Sequence, residues 1–337
     1  MTSKTMRAVD IKNGAGPASA LFINDATPLP TRGPSQALVR IRAFGLNRMD
    51  LLQRLGYYPV PAGASKVLGV EFSGEIAELG EKAEGGFAVG DAVFGLAYGG
   101  AYAEYIAVDT AMLLHKPEGM SYEEAAGIPE TWITALQALF LVGGFAEGKS
   151  VLWHAGASGV SIAGQQLARA GGASAVYATT RQAEKAAFCR DVLKADGAVD
   201  TSATPAWDDE ILGMTGGRGV DIVIDYVGAP YFQQNLNVLA MDGVCVTLGA
   251  LGGTKLPDGV DISGFVRRRI TVRGSTLRSR SVEYQRTLRD MLAERLPGFG
   301  STFKMHVDRV MPWTEIVAAH EAMERNETKG KIICTVD

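Results

Sequence analysis

The sequence predicts an α/β protein of two domains: a compact, barrel-like β-rich domain followed by a doubly wound parallel sheet. Three observations predict it. The chain has 337 residues, more than a single hydrophobic core serves. Its first third carries period-2 strand patterns separated by glycine-rich turns. From Ser121 onward, short apolar runs alternate with helical segments.

"LVRIRAFG" sets Val39, Ile41 and Ala43 against Arg40 and Arg42, the alternation of a half-buried strand. Further strands are expected at Lys66–Leu79, Asp91–Leu96 and Ala101–Val108. "SYEEAAGIPETWITALQALFLVGG" then places Ser121 and Glu124 in capping-box register and repeats apolar residues at helical spacing until Gly143 and Gly144 stop it. "SVLWHA", "SAVYATT", "GVDIVIDYV" and "GVCVTLGA" follow as strands between helices, and right-handed crossovers make them parallel. The near-continuous apolarity of "VDIVIDYV" suits a strand covered on both faces. "ITVRGSTL", Ile270–Leu277, ends that sheet. Helices are expected around Val282–Arg295 and Trp313–Arg325, with a final strand "KIICTV". The organisation is therefore 1–123 for the first domain, 124–277 for the parallel sheet and 278–337 for a tail that folds back onto the first domain.

A formal net charge of −4 and a pI near 5.7 give no electrostatic reason to expect nucleic acid or an anionic membrane as partner. The N-terminal residues lack the apolar core of a signal peptide, and no apolar run approaches the roughly 20 residues that span a bilayer. A soluble, cytoplasmic protein is expected. Cys189, Cys245 and Cys334 are odd in number and far apart, which argues for buried thiols and against a disulfide framework. The histidines, His115, His154, His306 and His320, form no close ligand pair, so no metal site is expected.

The stretch "VLWHAGASGVSIAGQQLARAGG" runs from the first strand of the parallel sheet into a helix through a cluster of small residues. It is not G-x-G-x-x-G: Gly156, Gly159 and Gly164 are present, but Ser161 stands where a third close-set glycine is usual. Two readings are open, a tight turn whose small residues serve packing alone and a pyrophosphate cradle of backbone N–H groups at a helix N-terminus. The strand-helix-strand setting favours the cradle. Asp225–Gly228 and Gly249, Ala250 and Leu251 end later strands and are expected to border the same crevice.

At the end of the second strand, "ATTRQAEK" puts Thr179, Thr180 and Arg181 where NAD-selective folds carry an acid for the ribose diol. Hydroxyls, Arg181 and Lys185 suit a 2′-phosphate instead, so NADPH is favoured over NADH. The competing reading is that both cations are ordinary solvated helix residues. For His320, at helical spacing from Trp313, Ile316 and Val317, packing is the expected role. Arg267–Arg269 is read as a solvated patch, and Asp50 and Glu71 as structural carboxylates.

The segments "GLNRMDLLQRLGYYPVPAGAS", "LGVEFSGEIAELG", "GIPETWITALQAL", "LWHAGASGVS", "STLRSRS" and "AHEAMERNETKGKI" together resemble the zinc-free NADPH:quinone oxidoreductases of the medium-chain dehydrogenase/reductase superfamily, of the tumour-suppressor-inducible type. The resemblance covers nearly the whole chain. It implies a Rossmann domain inserted into a GroES-like domain built from both ends of the chain. Asn47 stands where zinc-dependent relatives carry a cysteine ligand and Val70 where they carry a histidine. Carried over by motif, Asn47 and Tyr58, the tyrosine preceding Pro59, border the nicotinamide and the quinone. Thr134 contacts the nicotinamide side, and Gly156, Ser158, Gly159 and Val160 cradle the pyrophosphate. Lys185 meets the 2′-phosphate, while Leu277, Ser279 and Asn326 are further cofactor contacts. The implied activity is hydride transfer from NADPH to a quinone by a homodimer paired at Ile270–Leu277. The alternatives are reduction of the C=C bond of an enone or enal, and a nucleotide-binding regulator with little turnover.

Overall fold

The computed structural model describes residues 4–337. The chain divides into two units. One runs to Ile133 and resumes at Arg278–Phe299 and Met305–Asp337, while the other holds Thr134–Leu277 and Gly300–Lys304.

The first unit opens with an antiparallel hairpin, β1 (Thr5–Ile11) and β2 (Leu21–Pro28). β3 (Gln36–Gly45), α1 (Arg48–Arg54), β4 (Glu71–Leu79), β5 (Ala92–Leu96), β6 (Tyr105–Asp109) and β7 (Leu113–His115) follow. In β3 the alternation behaves as the sequence requires, with Val39, Ile41 and Ala43 buried and Arg40 exposed. Two expected strands are shorter than their apolar patterns. Residues 66–70 and 101–104 lie outside β4 and β6, because Gly69, Gly99 and Gly100 at φ 88°, 153° and 100° break the pleat before them.

α2 (Tyr122–Ala126) begins with the capping box: Ser121 Oγ accepts from the Glu124 amide and Glu124 Oε2 from the Ser121 amide, each at 3.1 Å. The single helix expected to reach Gly143 is broken. Gly127 closes α2, Pro129 opens α3 (Pro129–Leu136), and Gln137–Val142 is π-helical. Proline has no N–H with which to extend α2 but fits the first position of a new helix. Residues 124–133 belong with the β-rich unit and not with the parallel sheet, which moves the boundary from 123/124 to 133/134. Packing explains it: Ala126 lies against Ala43 and Ile333, and Ser73 Oγ donates to the Tyr122 carbonyl at 2.6 Å.

The second unit alternates β8 (Ser150–Trp153), α4 (Gly159–Ala170), β9 (Ala175–Thr180), α5 (Ala183–Asp191), β10 (Gly197–Asp200), α6 (Trp207–Met214), β11 (Val220–Asp225), α7 (Phe232–Val238), β12 (Leu239–Thr247), α8 (Ser263–Arg267) and β13 (Thr271–Gly274). The six strands are parallel in the order β10-β9-β8-β11-β12-β13. The order in which strands are added reverses between β8 and β11, so their carboxyl ends mark the switch point where ligands bind in such sheets. Every residue of β11 is buried, as its apolar run predicts. Its Asp221 accepts from the Ser150 amide at 2.8 Å. Arg268, expected to be solvated, instead donates to the Leu236, Asn237 and Leu239 carbonyls at 2.7–2.8 Å and closes the C-terminal end of α7.

The returning chain adds α9 (Val282–Ala293), β14 (Val307–Pro312), α10 (Ile316–Glu324) and β15 (Lys331–Thr335) to the first unit. Its sheet runs β14-β15-β3-β4-β5-β7, with β6 also paired to β3 and Cys334 opposite Phe44. All three cysteines are buried and free. Among the described residues no helix is long and apolar enough to cross a membrane.

Candidate active site

In the parallel-sheet unit, β8 ends at Trp153 and the chain reaches α4 through Ala155, whose φ of 46° makes the turn left-handed. Gly156 serves space: a Cβ there would lie 2.7 Å from Ala178 Cβ and 2.9 Å from Cys189 Sγ. Its amide is committed to the Thr179 carbonyl at 2.9 Å, and that of Ser158 to the Ala155 carbonyl at 2.8 Å. Of the four residues expected to cradle a pyrophosphate, two thus have amides already bonded to carbonyls. The amides of Gly159 and Val160 head α4 without an acceptor among the described residues.

Ser161 does not replace glycine as a ligand donor. Its hydroxyl is buried and donates to the His154 carbonyl at 2.7 Å, with Tyr226 Oη at 3.4 Å. The packing glycine lies further along the helix, because a Cβ on Gly164 would lie 2.0 Å from the Trp153 ring. His154 is held between Thr179 Oγ1 and Asn235 Oδ1, both at 2.7 Å, and burial pushes its pKa down. The loops after β11 and β12 do meet, since the amides of Leu251 and Gly252 donate to the Tyr226 and Val227 carbonyls at 3.0 and 2.9 Å. Gly249 and Ala250 are half-buried there, and Leu251 is exposed.

On the adenosine side, Thr180 turns its hydroxyl inward to the Gln182 carbonyl at 2.9 Å, closing the β9–α5 turn. Arg181 is exposed and Lys185, in the first turn of α5, is half-buried. Thr134 Oγ1 is buried without a partner. A dinucleotide suits these residues: two helix-head amides without an acceptor among the described residues, a buried hydroxyl without a partner, and two cations at the start of α5.

In the β-rich unit a buried polar cluster surrounds Asn47, the N-cap of α1. Asn47 Nδ2 donates to Glu71 Oε1 at 2.8 Å, and Lys331 Nζ donates to Asn47 Oδ1 at 2.8 Å, to the Leu46 carbonyl and to Glu71. Glu71 Oε2 accepts from the Glu130 amide at 2.9 Å. Asp50 Oδ2 accepts from the Asn47 amide at 2.8 Å and from Tyr102 Oη at 3.0 Å. Burial pushes the Asp50 carboxyl up to about 6 against those hydrogen bonds. Arg278 donates to Gln53 Oε1 at 2.7 Å, and its guanidinium lies 5.6 Å from the Tyr58 ring centre. Tyr58 is half-buried, whereas Tyr57 is 78% exposed.

The last three cofactor contacts expected from sequence differ in burial and setting. Leu277 is buried in the parallel-sheet unit, and Ser279 is exposed in the other. Asn326 takes φ 56° just beyond α10 and accepts from Arg48 Nη2 at 2.6 Å, the posture of a residue that ends a helix. His320 packs edge-on to Tyr102 with Nδ1 3.0 Å from Arg54 Nη1, and burial drops it to about 3. Sequence reasoning missed Lys331, Glu130 and Arg278. The signals were a lysine opening an apolar strand, an acid opening a helix after proline, and an arginine between Leu277 and Ser279.

A catalytic zinc, carried by many proteins of this fold, does not fit. A divalent ion beside Asn47 would meet the ammonium of Lys331, and buried Val70 offers no ligand atom. Among the described residues no group of three His, Cys, Asp or Glu side chains is arranged to hold a metal.

Two family models match the chain, an alcohol dehydrogenase GroES-like domain over residues 33–118 and a zinc-binding dehydrogenase over residues 159–294. With the Rossmann sheet and the GroES-like unit, they define an oxidoreductase fold that binds a nicotinamide cofactor. The chain belongs to the medium-chain dehydrogenase/reductase superfamily. It is 31% identical over 317 residues to a highly reducing polyketide synthase of Emericella nidulans, a match covering 93% of this chain and 12% of that protein. The chain spans about an eighth of the length of the first curated relatives it matches. Among solved structures it is similar to a mycobacterial protein complexed with NADPH, with TM-score 0.85, 28% identity and 98% and 99% of the two chains covered. It is also similar to a quinone oxidoreductase of Pseudomonas syringae, with TM-score 0.83, 26% identity and 98% and 99% covered. The CurK enoyl reductase gives TM-score 0.84, 25% identity and 99% and 100% covered.

Proposed function

We propose that the chain is a metal-independent, NADPH-dependent reductase of conjugated carbonyl compounds, with a quinone as acceptor. The observation that carries this reading is the Lys331 ammonium bonded to Asn47, where a metal-dependent relative would place its ion. Without a Lewis acid, an alkoxide has no strong stabiliser. A quinone spreads the arriving charge over its own oxygens, so orientation and hydrogen bonding suffice. When bound, the nicotinamide supplies the hydride. Asn47 and Tyr58 orient the acceptor, and Thr134 together with the loops at Gly249–Leu251 orients the nicotinamide end. Gly159 and Val160 bind the pyrophosphate, and Arg181 and Lys185 the 2′-phosphate. A cation in the first turn of a helix opposes the helix dipole, and a bound phosphate turns that penalty into attraction.

A second reading, reduction of the C=C bond of an enone or enal, is favoured by the likeness to the CurK enoyl reductase and to the polyketide synthase. It asks for the same hydride donor and the same absence of metal. A steady-state screen of NADPH and NADH against ortho-quinones, para-quinones and enones tests both. Turnover of quinones with NADPH supports the first reading, turnover of enones alone the second. Binding without multiple turnover of either supports a nucleotide-binding regulator. Activity lost to chelation and restored by zinc would overturn metal independence.

The reading includes a cytoplasmic homodimer paired through β13. That strand ends the sheet with one side unpaired, and Ile262 and Val266 nearby are 62% and 83% exposed. A monomeric mass by light scattering would count against it.

A further inference from the structure

On the reductase reading above, a hydride delivered to a conjugated carbonyl leaves an anion that must gain one proton, and that proton needs a source. Three carboxyl groups and two cations gather around Asn47. They are Asp50 on α1, Glu71 on β4, Glu130 on α3, Lys331 on β15 and Arg278 before α9. Full ionisation would leave a net negative charge in a poorly solvated volume, so the cluster retains a proton.

The hydrogen bonds say where it resides. Glu71 accepts from Asn47, Lys331 and the Glu130 amide, three donors that occupy both of its oxygens. Asp50 satisfies one oxygen twice, while its Oδ1 is buried without a partner, and the residue is 0% exposed, sealed from any ligand. Glu130 differs from both. Its backbone is pinned by Glu71, its side chain is half-buried, and its carboxyl accepts no hydrogen bond among the described residues. Burial raises it to about 8, the Glu71 charge pushes the same way and Asp50 adds to it, while Lys331 and Arg278 pull back.

We propose that Glu130, in its neutral form, donates the proton that the reduced acceptor takes up, with the Glu71–Lys331 pair as its positioning partner. The hydride brings two electrons to the acceptor. The O–H bond of the Glu130 carboxylic acid then breaks, its electron pair stays on the carboxylate, and a new bond to hydrogen forms at the acceptor's anionic oxygen or at the carbon conjugated with it. Water returns a proton to Glu130, so each acceptor consumes one hydride and one proton.

Two measurements test this. The first is infrared spectroscopy of the protein without cofactor or acceptor, following the carbonyl stretch of protonated carboxyl groups. Wild type should show such a band at neutral pH, lost as the pH rises through about 8. Glu130→Gln, folded by circular dichroism and still binding NADPH, should lack it. The second is the pH profile of turnover on whichever acceptor class the screen identifies. Glu130→Gln should lower the rate by roughly a hundredfold or more and abolish the alkaline limb, and Glu130→Asp should restore part of both. A neutral-pH band that persists in Glu130→Gln, or a variant with the wild-type rate and alkaline limb, overturns the proposal. If wild type reduces neither quinones nor enones, the reductase reading fails, and with it the donation step. The infrared experiment still decides separately whether Glu130 holds the proton.

Discussion

Asn47 and Lys331 are 9% and 3% exposed and Glu71 not at all, so in the β-rich unit each polar group depends on the others for its hydrogen bonds. In the parallel-sheet unit the residues offered to a ligand are backbone amides at the head of α4, a turn kept open by small side chains, and cations at or near the surface. The first arrangement is preorganised by side-chain charge and intolerant of losing a member. The second is preorganised by backbone geometry, and its charged side chains can be changed with little effect on the fold. On the proposed reading, the chemistry that needs a fixed proton and a fixed amide draws on the first arrangement, and recognition of a long anionic nucleotide on the second.

The largest effect is expected from Lys331→Met, which strands Glu71 in a buried position. It should reduce stability by about 3–5 kcal/mol in chemical denaturation. A loss no greater than that of a surface lysine would erase the contrast. Next comes Lys185→Ala, for which the Michaelis constant for NADPH should rise roughly ten- to hundredfold, on the order of 1.5–3 kcal/mol, with the NADH constant and the melting temperature barely moved. Equal losses with both cofactors would make Lys185 a structural residue. Unchanged NADPH kinetics would pass the phosphate site to Arg181. Gly164→Ala should destabilise by about 1–3 kcal/mol, because its Cβ has nowhere to go beside Trp153. A neutral outcome would mean that α4 can slide on β8. Ser161→Gly should be mildest, losing about 1 kcal/mol with the hydroxyl's bond to His154. Its NADPH constant should not change, and a marked change would return Ser161 to the ligand.

The parallel sheet was the more legible half. β8, β9, β11 and β13 fall within the apolar runs that predicted them and β12 overlaps its run but begins four residues earlier, at Leu239; strands covered on both faces, such as β11, advertise themselves without reference to their neighbours. β10, four residues long, carries too little pattern to stand out. In the β-rich unit the periodicity of β3 and the capping box at Ser121 were local signals and were readable. Asn47 and the structural roles of Asp50 and Glu71 were readable, but not their union in one cluster with Lys331, since Glu71 lies 24 residues from Asn47 and Lys331 284. A lysine at the head of "KIICT" is an ordinary strand terminus until the carboxylate it neutralises is known. The helix expected through residue 143 failed for a local reason that was visible, Pro129, outweighed by the apolar repeat on either side of it. The inward turn of the Thr180 and Ser161 hydroxyls depends on carbonyls placed by the fold, and residue type alone does not reveal it.

The pairing of β15 with β3 also sets an order of events during synthesis. Phe44 and Glu71 leave the ribosome long before Cys334 and Lys331 exist, and at about 5–20 residues per second that interval is tens of seconds at the slow end. The parallel-sheet unit, nearly contiguous in sequence, can fold completely during that wait. The β-rich unit cannot, because its central strand lacks a neighbour and the Glu71 carboxylate lacks its counter-ion until β15 has been made. The parallel-sheet half can thus exist before the half that holds the carboxylate cluster, and Glu71 and Asn47 stay without their ammonium partner until β15 has been made.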